Sequence, residues 1–286
     1  MKRVLAAGVF LALALAGRSG PPPGATSKPA PRFSVASYNI HYGNVNLPKV
    51  VETISQSKAD LVCLQETNRQ SELYLRRRLG RTYRHMTFRH SLGAGGFGFL
   101  SKSPVRKRRY LPRRHGVFGT WIAEVKLGGR EVQIANVHLL PTIPRRGQNA
   151  KQLLKLFVKT EGIRRREIAH IHSKLRPNVL TILAGDINSI PGLPVTRYLA
   201  ARGMIDSFRS AAPKEANGFT WHWPWRGIEL RQRFDYIFHT ADVKTCASEV
   251  IRSEASDHYL LVSTLTWAPK EASSRPAGSA RGRKSD

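Results

Sequence analysis

The apolar run Asn178–Asn188 ends in Asp186 and Asn188, two positions apart. Side chains alternate along a strand, so both polar groups are expected on one face at its end. Five further apolar segments carry matching groups near one end: Asn39 closes Phe33–Ile40, Glu66 closes Leu61–Glu66, Asn136 and His138 close Val132–His138, Asp235 lies in Arg233–Phe238, and Asp257–His258 precede Tyr259–Trp267. Taken singly, a strand-terminal Asp or Asn serves as a turn or cap, and His138 reads as a hydrogen-bonded core histidine. The six together are harder to explain that way in a chain with 19 Asp+Glu against 47 Lys+Arg. The chemistry that uses this set is metal-assisted attack of water on a phosphate ester. Mg²⁺ takes oxygen ligands and keeps several waters, so one or two carboxylates and an amide suffice. A histidine oriented by a carboxylate serves as acid or base, and amide and imidazole donors hold phosphate oxygens as charge develops.

Strands are expected at 33–40, 61–66, 96–102, 119–127, 130–139, 179–187, 233–240, 243–251 and 258–267, with Gly128–Gly129 marking a hairpin. Helices are expected at 47–57, 70–79, 149–174 and 194–202. Leu47, Val50, Val51 and Ile54 have helical spacing, and Pro48 suits a first turn. Hairpins mixed with helical crossovers give an α/β layered architecture, with mixed sheets and helices outside.

The N-terminus reads as a secretory signal over residues 1–16: Lys2 and Arg3, an apolar stretch from Val4 to Ala16, and Ala14–Leu15–Ala16 before a cut at Gly17. A secreted or periplasmic protein follows, with an uncleaved membrane tether as the alternative. Arg18 stands where a lipoprotein signal needs Cys. Residues 17–32 read as a flexible linker, 33–267 as one folded domain, and 268–286 as a disordered basic tail. Cys63 and Cys246 are expected to be buried, inert thiols, with a disulfide left open. No obligate protein partner is evident, and a monomer is expected.

The ordered motifs Ser37-Tyr-Asn-Ile, Leu64-Gln-Glu, Asn136-Val-His-Leu, Gly185-Asp-Ile-Asn, Arg233-Phe-Asp-Tyr-Ile and Ser256-Asp-His resemble those of the endonuclease/exonuclease/phosphatase superfamily. Gly96-Phe-Gly-Phe-Leu-Ser-Lys-Ser-Pro is similar to a further segment of that family. The resemblance implies a deoxyribonuclease I-like four-layer sandwich of two mixed, mainly antiparallel sheets flanked by helices. It implies Glu66 as the main Mg²⁺ ligand (Mn²⁺ as an alternative), with Asn39 and Asp257 completing or supporting the metal site. Asp186 would orient or deprotonate the attacking water, and Asn188 would bind the phosphate. His258 would pair with Asp235 and contact the scissile phosphate, and His138 would donate to the phosphate or the leaving oxygen. Ile187 and Phe234 depart mildly from the family pattern.

The formal charge of +28 favours polyanionic partners. Residues 69–114 hold Arg76–Arg78, Arg106–Arg109 and Arg113–Arg114 against the single acid Glu72, and residues 139–180 add a second basic stretch including Arg145, Arg146 and Arg164–Arg166. Those charges either follow a phosphate backbone or form a solvated helix face. Trp221, Trp223 and Trp225 alternate and would share one side of an extended segment, for packing, base stacking or membrane insertion. The leading expectation is a secreted Mg²⁺-dependent nuclease acting on DNA or RNA. The alternatives are a phosphodiesterase or phosphatase of phospholipid, sphingomyelin or inositol phosphate, and a non-catalytic polyanion-binding protein.

Overall fold

Two parallel strand pairs decide where this chain can put its polar groups. In the computed structural model, which describes residues 31–143, 147–211, 218–225 and 227–268, β1 (Arg32–Asn39) runs parallel to β2 (Leu61–Gln65), and β7 (Arg130–His138) parallel to β8 (Thr181–Asp186). Parallel neighbours need a crossover. It is α1 (Leu47–Ser57) in the first pair and α3 (Ala150–Ser173) in the second. Each crossover returns the chain to its starting edge, so all four strands end on one rim. Strands flanking these pairs run antiparallel and therefore begin there: β12 (Asp235–His239) against β8, and β14 (Leu260–Trp267) against β1. Asn39, Glu66, His138, Asp186, Asp235 and His258 converge for this topological reason.

The remaining elements are α2 (Arg69–Leu79), β3 (His85–Arg89), β4 (Phe97–Ser101), β5 (Val105–Leu111), β6 (Thr120–Leu127), α4 (Pro194–Ala200), β9 (Ile205–Asp206), α5 (Ser207–Ala211), β10 (Trp221–Trp225), β11 (Ile228–Gln232) and β13 (Val243–Ile251). One sheet has the order β13-β14-β1-β2-β4-β3 and the other β5-β6-β7-β8-β12-β9; both are mixed and mainly antiparallel. Between them lies a core including Val35, Leu61, Cys63, Phe97, Phe99, Trp121, Val132, Ile134 and Ile182. Val50, Ile54, Leu75 and Leu79 cover the outer face of the first sheet, and Ile168, Ile171, Val195 and Leu199 that of the second. The result is the expected four-layer sandwich. Both α2 and α3 start at an Asn capping box, Asn68 with Ser71 and Asn149 with Gln152.

Asn136 ties the two sheets together beneath the rim. Its amide donates to the carbonyls of Leu64 (3.0 Å) and Gly98 (3.1 Å) in the facing sheet and accepts from Gln65 Nε2 at 2.8 Å. All three bonds are buried, so they resist the competition from water that weakens exposed ones.

Several expectations need amending. β3, β5 and the β10–β11 hairpin lie outside the expected strands: β5 carries a run of four cations, and β3, β10 and β11 are short segments with only two or three apolar residues in alternation. Cys246 is exposed, not buried, and both cysteines are free. Arg164, expected in a basic surface patch, is buried and pairs with Glu161. Among the described residues no helix is long and apolar enough to cross a membrane. The expected signal (1–16), nearly all of the linker, the basic tail beyond Ala268, and Arg145 and Arg146 lie outside the described residues.

Candidate active site

Asp186 is the centre of the rim. It is the last residue of β8, buried, and paired in register with Asp235 on β12. Its Oδ2 receives Asn39 Nδ2 at 3.2 Å and faces the Nε2 atoms of His138 at 3.6 Å and His258 at 3.7 Å. The other oxygen accepts the Asn188 N–H at 2.9 Å. Burial raises the Asp186 pKa, and the Asp235 charge adds to this while the two imidazoles oppose it. A carboxylate held this way is a stronger proton acceptor than one in water.

Glu66 stands beside it. Immediately after β2 its backbone turns to φ 60°, swinging the side chain onto the rim. Oε1 accepts from Asn39 Nδ2 at 2.9 Å and Oε2 from the Tyr42 N–H at 2.8 Å. One Asn39 amide thus bridges two carboxylates, and its own Oδ1 takes the His41 N–H at 3.0 Å. Each Glu66 oxygen retains a further lone pair, and the side chain is 17% exposed.

His258 and Asp235 form a tight pair, with Nδ1 to Oδ2 at 2.8 Å and both residues buried. Burial alone would lower the His258 pKa. The charges of Asp235 and Asp186 overcome it and hold the imidazole up at about 10. Thr220 Oγ1 accepts the Asp235 N–H at 2.9 Å and fixes the start of β12. His138 stacks on Phe118, with ring centroids 4.2 Å apart, and its Nε2 looks toward Glu66 (3.9 Å) and Asp186. Two imidazole Nε2 atoms therefore flank the same carboxylate oxygen, an arrangement suited to gripping the non-bridging oxygens of a phosphate.

Six of the eight residues expected at the site meet through these contacts; the other two stand differently. Asn188 adopts φ 50°, so strand alternation stops at Asp186, and its amide donates to the Leu139 carbonyl at 3.1 Å. Asp257 lies 3.3 Å from His41 and makes no hydrogen bond to Glu66 or Asp186. Sequence reasoning missed His41 and Phe118. His41 follows Asn39 by two positions, the same spacing that drew attention to Asn188. Phe118 sits in a loop with no periodic signal.

The donor set fits a hard divalent cation. Glu66, Asn39 and the nearby Asp257 offer oxygens, and the buried carboxylates leave negative charge that such an ion would neutralise. Asp186, Asp235 and His258 also present ligand atoms within 4.8 Å of one another. Nδ1 of His258 is already engaged by Asp235 at 2.8 Å, and Glu66, with a further lone pair on each oxygen, is the more open oxygen donor of the rim.

The chain matches the model of the Endonuclease/Exonuclease/phosphatase family over residues 36–258. Among solved structures it resembles an endonuclease/exonuclease/phosphatase from Beutenbergia cavernae DSM 12333, with 20% identity and TM-score 0.62 over 83% of this chain and 72% of that one. It also resembles TDP2 from C. elegans (18%, TM-score 0.62, covering 82% and 75%). D. rerio TDP2 complexed with single strand DNA product is a further likeness (19%, TM-score 0.59, covering 82% and 99%). No curated protein matches by sequence. With the family match spanning every strand end that forms the rim, the chain belongs to the endonuclease/exonuclease/phosphatase family, whose members are metal-dependent hydrolases of phosphate esters.

Proposed function

We propose that this enzyme is an exported Mg²⁺-dependent phosphodiesterase whose substrate is nucleic acid. One observation carries the choice of substrate. The loop 112–119, whose Phe118 packs on His138, also presents Arg113, Arg114 and His115 to solvent. Among the described residues neither arginine makes a hydrogen bond or ion pair, so both are open to further phosphates beside the scissile one. The DNA product bound to D. rerio TDP2, a protein of similar fold, supports the same reading. The apolar stretch Val4–Ala16 supports export.

In this reading Asp186 takes the proton of the attacking water, His258 stays cationic against Asp235, and His138 and His258 hold the phosphate oxygens. Mg²⁺ bound through Glu66, supported by Asn39 and Asp257, would supply Lewis-acid stabilisation of the developing charge. A second reading, hydrolysis of an anionic phospholipid, is favoured by the β10–β11 hairpin: Trp223 is 46% and Ile228 56% exposed, close to His258, which forms a β-bridge to Trp221.

Plasmid DNA, RNA, sphingomyelin vesicles and inositol phosphates, assayed side by side with Mg²⁺ and with EDTA, test this. Mg²⁺-dependent cleavage of nucleic acid that is lost in Glu66→Gln and His258→Ala is expected. Hydrolysis confined to the lipid or the inositol phosphate would replace the reading, and full activity in both variants would overturn the site.

A further inference from the structure

We propose that β5 and the segment after it, Arg106 to His115, form a docking rail for a single nucleic-acid strand, leading away from the phosphate site along one flank of the molecule. The inference rests on the nucleic-acid reading above and adds a place, a direction and a length to it.

The backbone of β5 makes the first argument. A regular strand on a sheet turns alternate side chains inward, so four consecutive cations would bury two of them. Here the register shifts between Arg106, opposite Glu124, and Arg109, opposite Ile122. Lys107 sits at φ 44° within that bulge, a left-handed conformation that a non-glycine residue adopts at some expense. The consequence is that Arg106, Lys107, Arg108 and Arg109 are all exposed.

The partners of these residues make the second argument. Glu124 is shared between Lys107 and Arg176, and Arg109 donates to the Lys174 carbonyl. Arg108 meets only the Thr87 hydroxyl, while Arg106, Arg113 and Arg114 have neither an ion pair nor a hydrogen bond among the described residues. Uncompensated charge therefore remains along the whole segment.

Connectivity makes the third. β5 is the edge of its sheet, and the chain leaves it through Pro112 directly into the loop that ends on Phe118 and His138. At about 3.3 Å per residue the stretch from Arg106 to Leu111 is roughly 16 Å long, enough to meet a few successive phosphates of one strand. Charges on an edge strand also discourage edge-to-edge association. That role accounts for β5, but not for the continuation through Arg113 and Arg114 into the site.

The test compares wild type with the double variants Arg106→Ala/Arg108→Ala and Arg113→Ala/Arg114→Ala. The readouts are kcat/KM on single-stranded oligonucleotides of increasing length, its salt dependence, and turnover of a small chromogenic phosphodiester. Wild-type kcat/KM should climb with oligonucleotide length and level off once the strand extends past the far end of β5. Each double variant should flatten that climb and reduce the slope of log(kcat/KM) against log salt by about 1.4, from ~0.7 per phosphate contact on a single strand. Its loss on the small diester should be much smaller. Length dependence and salt slope retained in Arg106→Ala/Arg108→Ala would overturn the rail while leaving the nucleic-acid reading intact. Self-association of that variant with an unchanged slope would do the same, assigning the charges to edge protection, as would weakened binding to anionic vesicles with oligonucleotides unaffected. A wild type that turns over the small diester but no oligonucleotide of any length removes both the reading and the rail.

Discussion

Glu167 on α3 is a buried carboxyl whose replacement by Gln has a calculable consequence. One oxygen accepts the Leu140 N–H at 3.0 Å, two residues beyond His138; the other is buried without a partner, hard against Gly116 in the loop that carries Phe118. Burial raises its pKa from an ordinary 4.5 to about 7, although the Leu140 bond and Arg164 pull the other way. At about 1.36 kcal/mol per tenfold change in proton affinity, that displacement is worth roughly 3 kcal/mol. The sign follows from proton counting. Between 4.5 and about 7 the native state keeps a proton that the unfolded chain has released, so stability falls as pH rises across that window and levels off above it. Glu167→Gln stays neutral throughout and retains an acceptor for Leu140. Urea unfolding from pH 4.5 to pH 8 should therefore show the variant gaining on wild type by up to roughly 3 kcal/mol at the alkaline end, and no difference in slope below pH 4.5. A stability difference that does not change with pH would refute the buried neutral carboxyl.

Glu66→Gln should abolish the heat of Mg²⁺ binding in calorimetry while leaving the unfolding midpoint in metal-free buffer within a few degrees, since it keeps an acceptor for Tyr42 and relieves the charge beside Asp186 at the expense of the Asn39 bond. Asp235→Asn removes the nearest partner of an imidazole held at about 10; the alkaline limb of the kcat–pH profile should move down by several pH units toward the ordinary histidine range, with kcat lower by about a thousandfold. In Gly96→Ala the added methyl would overlap the Thr67 carbonyl beside Glu66, so thermal unfolding should show a loss of about 2–4 kcal/mol, and soluble protein at wild-type stability would contradict the packing.

The fold was legible where strands are buried on both faces. The expected strands at 33–40, 61–66, 130–139 and 179–187 match β1, β2, β7 and β8 to within a residue or two, because continuous apolar character is what two-sided burial requires. Edge strands signalled less evenly: the expected strand 243–251 is β13, whereas β3 and β5 match no expected strand. β5 hydrogen-bonds to β6 along one edge and otherwise largely meets solvent, so Val-Arg-Lys-Arg-Arg reads as a charge run even though five of the strand's seven residues pair with β6. The sequence also offers no means of telling which cations are structural. Arg164 and Arg165 are adjacent, yet one is buried on Glu161 and Leu140 while the other lies over the Tyr198 ring.

The site was legible for a topological reason rather than a local one. A carboxylate at the end of one strand says little. The ends of two parallel pairs and the starts of their antiparallel neighbours must fall on one rim, so six polar termini constrain one another once the crossovers are recognised. What alternation could not supply is the last step of each chain. At Glu66 and Asn188 the backbone enters positive φ just past the strand, at 60° and 50°. That turn brings the Glu66 carboxylate onto the Asn39 amide, while the Asn188 amide closes on Leu139. Residues of similar type and position thus diverge: Glu66 is left with lone pairs for a cation, and Asn188 braces the loop between His138 and Glu167. A phosphate-binding role for Asn188 would need its amide to exchange Leu139 for substrate. The effect of Asn188→Ala on KM, compared with its effect on unfolding, separates bracing from binding.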